Sequence, residues 1–561
     1  MEEFRICRLS ERALLVTLSD TISEEANDLA LRTSLAVEAA DIPGVEEAQP
    51  AYSSLCVHFD PLKVGAPWLG AFIRERLAAL AKQSEKAKIA GTGRVVDIPV
   101  KYGGEDGPDL AWASEHLGLP PEEIIRRHAE GRYRVYMIGF APGFPYLGGM
   151  DQSISLPRLP TPRTAVPAGS VAIGGGQAGI YPRESPGGWR IIGRTPVEFF
   201  SPHSKTPCLV SPGDTVRFVP VNDIERSPGP ESSVDETLAS KTHPRAPALL
   251  VEHPGLLSIV VDAGRKRYRK LGVPVSGAAD ANSYTLANIL CGNSPSAPAL
   301  EMTLWGPRLR ALMDIVVAVT GAPSPLSVDG FPVPMNKAFL LREGSLLEVG
   351  SPNRGCRIYL AASGGFDVPL VMDSASTYLR GAFGGLQGRR LLSGDTLYTR
   401  PGAGYNEVCA AAEALRDSPQ ITASTCLSGL TEWPLYLDRR LSEEILSLRV
   451  LPGPESLSPS GQALLSALCS RTYSVRSDSD RMGARFDGPL LEPGQGQGDI
   501  LSSPVVPGVI QVPSDGRPVL LLSDAQTCGG YRRVATVLGE DLPLAGQMRP
   551  GAKIGFQISN V

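Results

Sequence analysis

Apolar positions in the first 85 residues follow two different periods. The runs RALLVTL (12–18) and SSLCVHF (53–59) concentrate apolar residues over short stretches and predict β-strands. The runs SEEANDLALRTSLAVEAA (23–40) and PWLGAFIRERLAALAKQ (67–83) repeat apolar residues at helical spacing and predict two helices. Strands and helices that alternate in this way predict a small α/β sandwich domain over residues 1–85.

From residue 94 onward the pattern changes to short apolar stretches divided by glycine and proline. RVVDIPVKY (94–102) and YRVYMIGF (133–140) predict strands, with two short helices between them. Strand and turn signals continue to residue 221 and indicate a β-rich domain over 92–221. The following stretch, 222–247, is polar, rich in proline and without period, which predicts an interdomain linker.

The second half repeats features of the first. The stretch VPAGSVAIGGGQAGIYPRESPGGWRIIGRT (166–195) is echoed by VVPGVIQVPSDGRPVLLLSDAQTCGGYRRVATV (505–537). Each begins with proline and glycine before a strand, and each ends in Gly-Gly-aromatic-Arg before another strand. A repeat of this kind predicts duplicated β-barrel units. A weak break near 401–440 divides the second half into a first part, 248–400, and a second β-barrel, 440–561. The first part is also expected to be barrel-like.

The stretch YMIGFAPGFPYLGGMD (136–151) is apolar and aromatic, yet glycine and proline interrupt it. Each proline lacks a backbone donor and clashes with a preceding helical turn, so the stretch is neither a helix nor one long central strand. We expect an irregular loop that walls an apolar pocket, with bare N–H groups near Gly143 and Gly148 facing a polar ligand. The alternative is that the loop only holds domains together. The pocket residues expected on it are Phe140, Gly143, Phe144 and Tyr146.

Charge and cysteine usage exclude several classes of function. The chain carries 54 basic and 59 acidic residues, a net charge of −5, whereas a nucleic-acid-binding protein shows a basic footprint. The one short basic run, RKRYRK (265–270), is interpreted as a solvated turn. Nine scattered cysteines without a CxxC pair favour a reducing compartment, and neither a basic signal peptide nor a membrane-length apolar run occurs. These features predict a cytoplasmic protein that binds no nucleic acid and no membrane.

Several catalytic motifs are absent, and glycine-rich turns take their place. The sequence has no GxxxxGK[ST] P-loop, no GxSxG nucleophile elbow and only six histidines, none of them at metal-ligand spacing. Five glycine-rich turns instead carry arginine, serine, threonine or acidic residues, as in SPGGWRIIGRT (185–195) and SDRMGARFDGP (479–489). Bare N–H groups beside arginine side chains suit carboxylate or phosphate oxygens. The alternative is that these glycines only turn tight barrel corners.

Three stretches of the first half, 136–151, 159–196 and 211–221, resemble the B-subunit family of 5-oxoprolinase. That family includes kinase-inhibitor proteins and is also labelled allophanate hydrolase subunit 1. Residues 248–561 resemble the C-subunit family of 5-oxoprolinase, also labelled allophanate hydrolase subunit 2, through runs such as LGVPVSGAADANSYTLANILCGN (271–293). Both modules also resemble the carboxyltransferase part of urea carboxylase. The resemblance implies a mainly β fold with α+β elements: repeated cyclophilin-like β-barrels in both halves and a small N-terminal α/β sandwich domain.

The resemblance also implies a function. It points to an enzyme, a component of an ATP-dependent 5-oxoprolinase that activates 5-oxo-L-proline for ring opening to L-glutamate. ATP with Mg²⁺ is the expected cofactor, and a separate protein like the A subunit of 5-oxoprolinase is the expected partner, without which no full turnover is expected. Two alternatives are open: a carboxyltransferase-like enzyme that acts on urea or a related amide with a separate biotin carrier, and a non-catalytic kinase-inhibitor-like regulator. The true substrate and homo-oligomerisation are also left open.

The family-like motifs select candidate site residues. The arginines expected to hold anionic oxygens are Arg163, Arg194 and Arg481, and the last two are expected to reach one cleft if related barrels face each other. Asp262 and Asp280 are candidates for metal or proton work, with capping or turn formation as the alternative. The expected hydrogen-bond donors are Ser170, Thr195, Gln526 and Tyr531, and close backbone approach is expected at Gly529 and Gly530. The candidate catalytic residues are Asp262, Asp280, Arg481 and Gln526, and no metal ligands are assigned.

Several positions depart from the usual family pattern, and three of them concern activity. Val261 stands where the family has glutamine, Ala525 where it has histidine and Cys528 where it has threonine. If the missing histidine acts in the family, these departures bear on activity.

Overall fold

The computed structural model describes residues 4–82, 93–161, 163–224, 245–400, 432–492 and 499–559. Most of the predicted linker at 222–247 and of the predicted break at 401–440 lies outside these residues. The described chain forms four units: an N-terminal α/β unit, a first barrel, a two-sheet unit and a second barrel. No helix among the described residues is long and apolar enough to cross a membrane.

The N-terminal unit is an antiparallel sheet with two helices on one face. Its strand order is β1-β2-β4-β3. The first helix begins at Ser23, whose hydroxyl accepts the Ala26 N–H and caps the first turn. The elements are β1 (Arg5–Ser10), β2 (Ala13–Thr17), α1 (Glu24–Ala39), β3 (Val45–Pro50), β4 (Ser54–Phe59) and α2 (Ala66–Lys82).

The first barrel closes a ring of seven strands, in the order β5-β13-β6-β7-β10-β9-β12. The first and last of its strands in the sequence, β5 and β13, pair in parallel, and the other neighbours are antiparallel. Strands β8 and β11 form a separate two-stranded sheet. The elements are β5 (Val95–Tyr102), α3 (Leu110–Leu117), α4 (Pro121–Glu130), β6 (Tyr133–Ile138), β7 (Pro145–Gly148), β8 (Arg163–Val166), β9 (Ser170–Gly174), β10 (Gln177–Ile180), β11 (Ser185–Gly187), β12 (Arg190–Arg194) and β13 (Thr215–Pro220).

The two-sheet unit differs from the barrel-like domain expected in this part of the chain. Two separate sheets, β20-β19-β22-β17-β14-β24 and β15-β16-β23-β18-β21, enclose one apolar core to which both contribute, for example Leu249 and Leu300. The elements are β14 (Ala246–His253), β15 (Leu257–Val261), α5 (Ala281–Leu290), β16 (Ala299–Thr303), β17 (Arg308–Ala311), β18 (Ile315–Gly321), β19 (Leu326–Val328), β20 (Phe331–Pro332), β21 (Ala338–Leu341), β22 (Leu346–Val349), β23 (Arg357–Ala362) and β24 (Thr396–Thr399).

The second barrel also closes a ring of seven strands, in the order β25-β32-β26-β27-β30-β29-β31, and β28 adds to β31 from outside. Its first and last strands, β25 and β32, again pair in parallel. The elements are α6 (Trp433–Leu441), β25 (Leu446–Pro452), α7 (Pro459–Cys469), β26 (Thr472–Val475), β27 (Gly483–Asp487), β28 (Asp499–Pro504), β29 (Val509–Val512), β30 (Val519–Leu521), β31 (Cys528–Val537), α8 (Leu542–Ala545) and β32 (Lys553–Ile558).

The two barrels have the same topology, and the predicted duplication is confirmed. Both rings start with a strand that pairs in parallel with the last strand, and both insert helices directly after that first strand. The echoed stretches lie on equivalent strands, β9, β10 and β12 in the first barrel and β29, β30 and β31 in the second. The predicted fold class, mainly β with repeated barrels and a small α/β unit, is therefore correct.

The N-terminal sheet is buried on both faces. Along β2, Leu14 and Val16 pack with the helices, whereas Ala13 and Leu15 pack against the second barrel at residues that include Val509. The continuous apolar run at 12–18 is therefore typical of a strand covered on both sides. The N-terminal unit, although part of the first half of the sequence, is held by the second half.

The basic run at 265–270 was interpreted as a solvated turn, and this is correct only for Lys266 and Arg267, which are exposed. Arg265 is fully buried, and Lys270 pairs with Glu38 of α1 at 2.7 Å. The carboxylate of Glu47, on β3, accepts the backbone N–H groups of Arg269 and Lys270 at 3.2 and 2.9 Å. Long-range acidic partners thus convert a basic run into an interface between the halves.

This interface makes a prediction about the two halves. Expressed together as separate chains, residues 1–224 and 245–561 should elute as one complex from a sizing column, because each half buries apolar and charged groups of the other. Glu47→Lys should weaken the complex by about 3–5 kcal/mol, since the buried carboxylate that receives two backbone donors is replaced by a like charge.

The control is Glu75→Lys, an exposed position on α2, which should leave the complex intact. Separate elution of the unmodified halves, or equal behaviour of the two variants, would contradict the interface.

Candidate functional site

The irregular loop of the first barrel lies at the junction with the second half. Gly143 adopts a positive φ of 76° and donates its N–H to the carbonyl of Leu271 at 3.0 Å. Gly139 lies so close to the second barrel that a Cβ atom there would stand 2.8 Å from the Cys528 sulfur. The glycines of this loop therefore permit close contact between halves, and the Gly143 N–H is not free for a ligand.

The aromatic residues of the loop pack in a cluster instead of lining an open pocket. Phe144 and Tyr146 are 2% and 7% exposed, and their rings lie 5.1 Å apart. The Tyr146 ring also lies 5.6 Å from that of Tyr52 in the N-terminal unit, and Cys528 belongs to the same cluster. Burial contradicts the pocket predicted for Phe144 and Tyr146 and supports the alternative, that these side chains hold the units together. Phe140 is half-buried at the edge of the cluster.

The irregular loop at 139–146 meets the glycine-rich stretch 524–531 of the second barrel where Gly139 lies against Cys528. The same stretch also bonds to β3 of the N-terminal sheet. The side-chain amide of Gln49 donates to the carbonyl of Thr527 at 3.1 Å, next to Cys528. Gln526, between this contact and Asp524, is half-buried and makes no hydrogen bond with any described residue. The remaining candidates of this motif, Gly529, Gly530 and Tyr531, lie on β31, with Gly529 opposite Ser503 and the Tyr531 side chain 37% exposed.

Arg481 was expected to hold an anionic ligand, but its guanidinium is occupied within the protein. It makes ion pairs with Glu301 of the two-sheet unit and with Asp524, the latter at 3.0 Å. It also donates to the Gly277 carbonyl at 2.9 Å. With two carboxylates and a carbonyl as acceptors and 5% exposure of its side chain, Arg481 positions the loop that carries Gln526 and does not face a ligand.

Asp262 and Asp280 are structural as well. The Asp262 carboxylate accepts the hydroxyls of Ser374 and Ser376 at 2.7 and 2.6 Å and the Ala375 N–H at 2.6 Å. Asp280 caps α5 by accepting the Ser283 N–H at 3.0 Å. The alternative of capping and turn formation is therefore correct for both. No cluster of three metal-ligating side chains occurs among the described residues.

The candidates on the first barrel also have internal partners. Arg163 forms a bidentate pair with Asp109, at 2.9 and 3.0 Å, and Arg194 lies 3.6 Å from Asp106. The Ser170 hydroxyl donates to the Pro167 carbonyl, and the Thr195 hydroxyl accepts the Val197 N–H. Arg194 and Arg481 have no partner in common, so the structure does not support one cleft that both arginines share.

The departures from the family pattern lie in apolar surroundings. Ala525 packs with Leu15 and Cys56 of the N-terminal sheet. Val261 lies in the core behind α5, and Cys528 is buried against the aromatic cluster, where burial raises the pKa of its thiol to about 12. None of these three side chains has a charge to contribute at neutral pH.

The candidate residues Phe140 and Gln526 lie along a seam between the first barrel and the second half. We define it by residues 139–146 and 181–183 on one side and by residues 371–384 and 524–531 on the other. It combines half-buried Phe140 and Gln526 with Arg183, whose guanidinium donates to the Gly381 carbonyl across the seam. Sequence reasoning assigned no role to Arg183, although it lies in the family-like stretch 159–196, because its acceptor, the Gly381 carbonyl, is 198 positions away in the sequence. Two open surface grooves, about 590 and 1160 Å³ in volume, contain none of these residues.

Comparisons with known proteins also divide the chain into two halves. The model of the carboxyltransferase domain, subdomains C and D, matches residues 4–210, and that of subdomains A and B matches residues 271–558. Crystal structures of the protein TTHA0988 are similar over 97% of this chain and 99% of that one, with a TM-score of 0.77 and 38% identity.

Curated relatives match one half each. The B subunit of the Bacillus subtilis 5-oxoprolinase is 40% identical over 230 residues, which are 39% of this chain and 94% of that relative. The C subunit of the Escherichia coli 5-oxoprolinase is 34% identical over 308 residues, which are 55% of this chain and 90% of that relative. The urea amidolyase of Saccharomyces cerevisiae is 31% identical over 318 residues, 55% of this chain but 16% of that protein.

The role of Arg481 makes a testable prediction. Arg481→Lys should lower the free energy of unfolding by about 3 kcal/mol, because one ammonium group cannot serve both buried carboxylates in the way that a guanidinium does. Arg217→Lys is the matched control, since Arg217 makes a half-exposed bidentate pair with Asp97 and should change stability by roughly 0–1 kcal/mol. Urea unfolding measures both, and equal midpoints would contradict the buried role of Arg481.

Asp280 makes a prediction about pH. Burial raises the pKa of its carboxyl from 3.8 to about 6. Between pH 4 and 6 the folded state keeps the proton that the unfolded state has lost, so this group lowers stability as pH rises through that window. Asp280→Asn keeps a capping oxygen and cannot ionise. Relative to the unmodified protein, its stability should therefore improve by about 3 kcal/mol between pH 4 and pH 7. A difference in unfolding free energy between the two proteins that is the same at every pH would contradict this.

Proposed function

Because the chain belongs to the carboxyltransferase-domain family, with its two halves related to the B and C subunits of 5-oxoprolinase, we propose that it is the fused B and C component of such an enzyme. In this proposal it works with a separate A subunit to open 5-oxo-L-proline to L-glutamate. The observation that supports it most directly is coverage. The two halves span 94% and 90% of the matched B and C subunits, whereas the chain spans only 16% of the matched urea amidolyase.

The seam supplies groups that suit this substrate. A lactam presents an amide oxygen and an N–H, and 5-oxoproline adds a carboxylate. The half-buried Gln526 offers an amide that can donate to the lactam oxygen and accept from its N–H, because a side-chain amide carries both kinds of group. Arg481 holds this loop through its ion pair with Asp524 at 3.0 Å. The backbone that carries Gln526 is therefore fixed in place.

Lactam opening needs activation of the amide oxygen, which ATP with Mg²⁺ supplies in the complete enzyme of this proposal. The described residues do not fit a complete nucleotide site in this chain. The sequence has no P-loop. The carboxylates of both acidic candidates, Asp262 and Asp280, already accept hydrogen bonds from donors within the protein. We therefore assign phosphate and metal handling to the separate A subunit, and derive no step on this chain through them.

A reducing compartment, the cytoplasm, is part of the proposal. All seven cysteines among the described residues are free thiols, the state expected where glutathione keeps thiols reduced.

A second candidate is carboxyl transfer to urea or a related amide. It is favoured by the matches of both halves to carboxyltransferase subdomains and by 31% identity to a urea amidolyase. This reaction would require a separate biotin carrier, which would then be the partner in place of the A subunit. A kinase-inhibitor role draws on the first half alone and leaves the second half unexplained.

The proposal predicts dependence on a second protein. The purified chain alone should release no glutamate from 5-oxoproline. With ATP and a 5-oxoprolinase A subunit, ADP release should depend on 5-oxoproline and glutamate should form in equal amount. Gln526→Ala should reduce this rate about 10-fold or more, the effect of one hydrogen bond to a reacting group. Coupled assays for ADP and glutamate measure both products.

Gln462→Ala is the matched control, because Gln462 is exposed on α7 and its loss should leave the rate unchanged. Glutamate release by the chain alone would contradict the need for a second protein. Carboxylation of urea by carboxybiotin, with no response to 5-oxoproline, would replace the proposal with the second candidate.

A further inference from the structure

Two arginines at or beside the seam, Arg183 of the first barrel and Arg265 of the two-sheet unit, form no direct ion pair with any described carboxylate. The carboxylates whose charges act on Arg265 are those of Asp262 and Asp524. Arg265 is fully buried, and its Nη1 is shielded from solvent without a hydrogen-bond partner. Burial without a full complement of acceptors lowers the pKa of Arg265 to about 10 and also lowers that of Arg183. A buried guanidinium nitrogen without an acceptor is costly, so the unused Nη1 of Arg265 indicates that an acceptor completes the site.

Both arginines lie against one tight turn, residues 378–383. Tyr378 and Phe383 exchange backbone hydrogen bonds across it, at 2.9 and 3.4 Å. The Arg265 guanidinium lies 4.9 Å from the Phe383 ring centroid, and Arg183 donates to the Gly381 carbonyl. The turn thus holds one arginine from each half on the same short segment.

The rest of the Arg265 guanidinium is fixed in place. Its Nε donates to the Val371 carbonyl at 3.1 Å, and its Nη2 donates to the Ser376 carbonyl. These two bonds leave Nη1 as the unused edge of a rigid fork. An arginine held in this way presents a donor without further loss of side-chain entropy, which is the arrangement that carboxylate recognition favours.

Tyr378 adds a third donor. It is 5% exposed, its hydroxyl makes no hydrogen bond with any described residue, and its charge interactions are with Arg183, Arg380, Asp480 and Asp524. Burial raises the pKa of this hydroxyl, so it stays protonated and can donate.

The nearby acidic groups have other partners. Asp480 pairs with Arg380 at 2.9 Å, and Asp524 pairs with Arg481 at 3.0 Å. Glu198, which interacts with Arg183, is exposed to solvent. Asp262, the acidic group that acts most strongly on Arg265, accepts the hydroxyls of Ser374 and Ser376 and the Ala375 N–H. No described carboxylate therefore bonds directly to Arg183 or Arg265, and the Arg265 Nη1 keeps its unused donor.

We propose that Arg183, Arg265 and the Tyr378 hydroxyl form a binding site for the carboxylate of a small substrate at the seam. The inference rests on the proposed function for the identity of that substrate, which is then 5-oxoproline bound through its carboxylate. Asp524 is the electrostatic neighbour of both Arg265 and Tyr378, and Gln526 follows it by two residues. The carboxylate at one end and the lactam amide at the other would thus meet donors from both halves.

The test is direct binding to the full-length chain by isothermal titration calorimetry, with three probes: 5-oxoproline, 2-pyrrolidinone and inorganic phosphate. 2-Pyrrolidinone has the lactam without the carboxylate and should bind about 10- to 100-fold more weakly than 5-oxoproline, the loss expected for charge-assisted hydrogen bonds. Arg183→Gln should weaken 5-oxoproline binding by a similar factor, while 2-pyrrolidinone binding stays unchanged. Tyr378→Phe should weaken it about 5- to 10-fold.

Arg126→Gln is the matched control, because Arg126 lies on the outer face of α4 in ion pairs with Glu123 and Glu130 and should not alter binding. Arg183→Gln and Tyr378→Phe remove atoms at the edge of the seam, and unchanged melting temperatures separate binding from folding. Equal 5-oxoproline affinity in both variants and the unmodified chain would overturn the site, as would failure of the chain to bind any probe. If phosphate binds and Arg183→Gln abolishes that binding, while 5-oxoproline does not bind, the anion site stands and the 5-oxoproline function fails.

Discussion

The buried ion pairs of Arg481 link the parts of the second half to one another and to the seam. The side chain comes from the turn before β27, reaches Glu301 on β16 and returns to Asp524. Glu301 is fully buried, and although burial opposes it, the charges of Arg481 and Arg357 hold the pKa of its carboxyl below the usual value. Removing any one of these charges would leave another uncompensated in the interior. The position of the loop with Gln526, and hence the shape of the seam, depends on this one guanidinium.

Local sequence patterns predicted the helices and strands well where the hydrophobic periodicity of a segment reflects its own secondary structure. The helices expected at 23–40 and 67–83 are α1 and α2, and the echo of 166–195 in 505–537 identified two barrels of the same topology. These predictions succeed because periodicity and turn residues reflect local geometry. The two-sheet unit has the same strand and turn signals as a barrel, so sequence alone could not distinguish closure from two open sheets.

The candidate site was predicted less well, for a physical reason. Glycine-rich turns with arginine do indicate anion recognition, but Arg163 and Arg481 find their anions inside the protein, at Asp109 and Asp524. Such partners are 54 and 43 positions away in the sequence, beyond any local pattern. The basic run at 265–270 shows the same effect, because its acidic partners lie on α1 and β3. A pairing between distant charges can be recognised only once the chain is folded.

The N-terminal sheet, covered by its own helices on one face and by the second barrel on the other, has a consequence for gene organisation. A free first half would display the apolar face of β2 to solvent, and such a surface favours aggregation and degradation. Two separate polypeptides must therefore be produced in matched amounts and must associate before either is protected from aggregation and degradation. A single chain replaces that bimolecular encounter with an intramolecular one at an effective concentration of the order of millimolar. Equal dosage of the two halves is then a property of the covalent chain, independent of expression level.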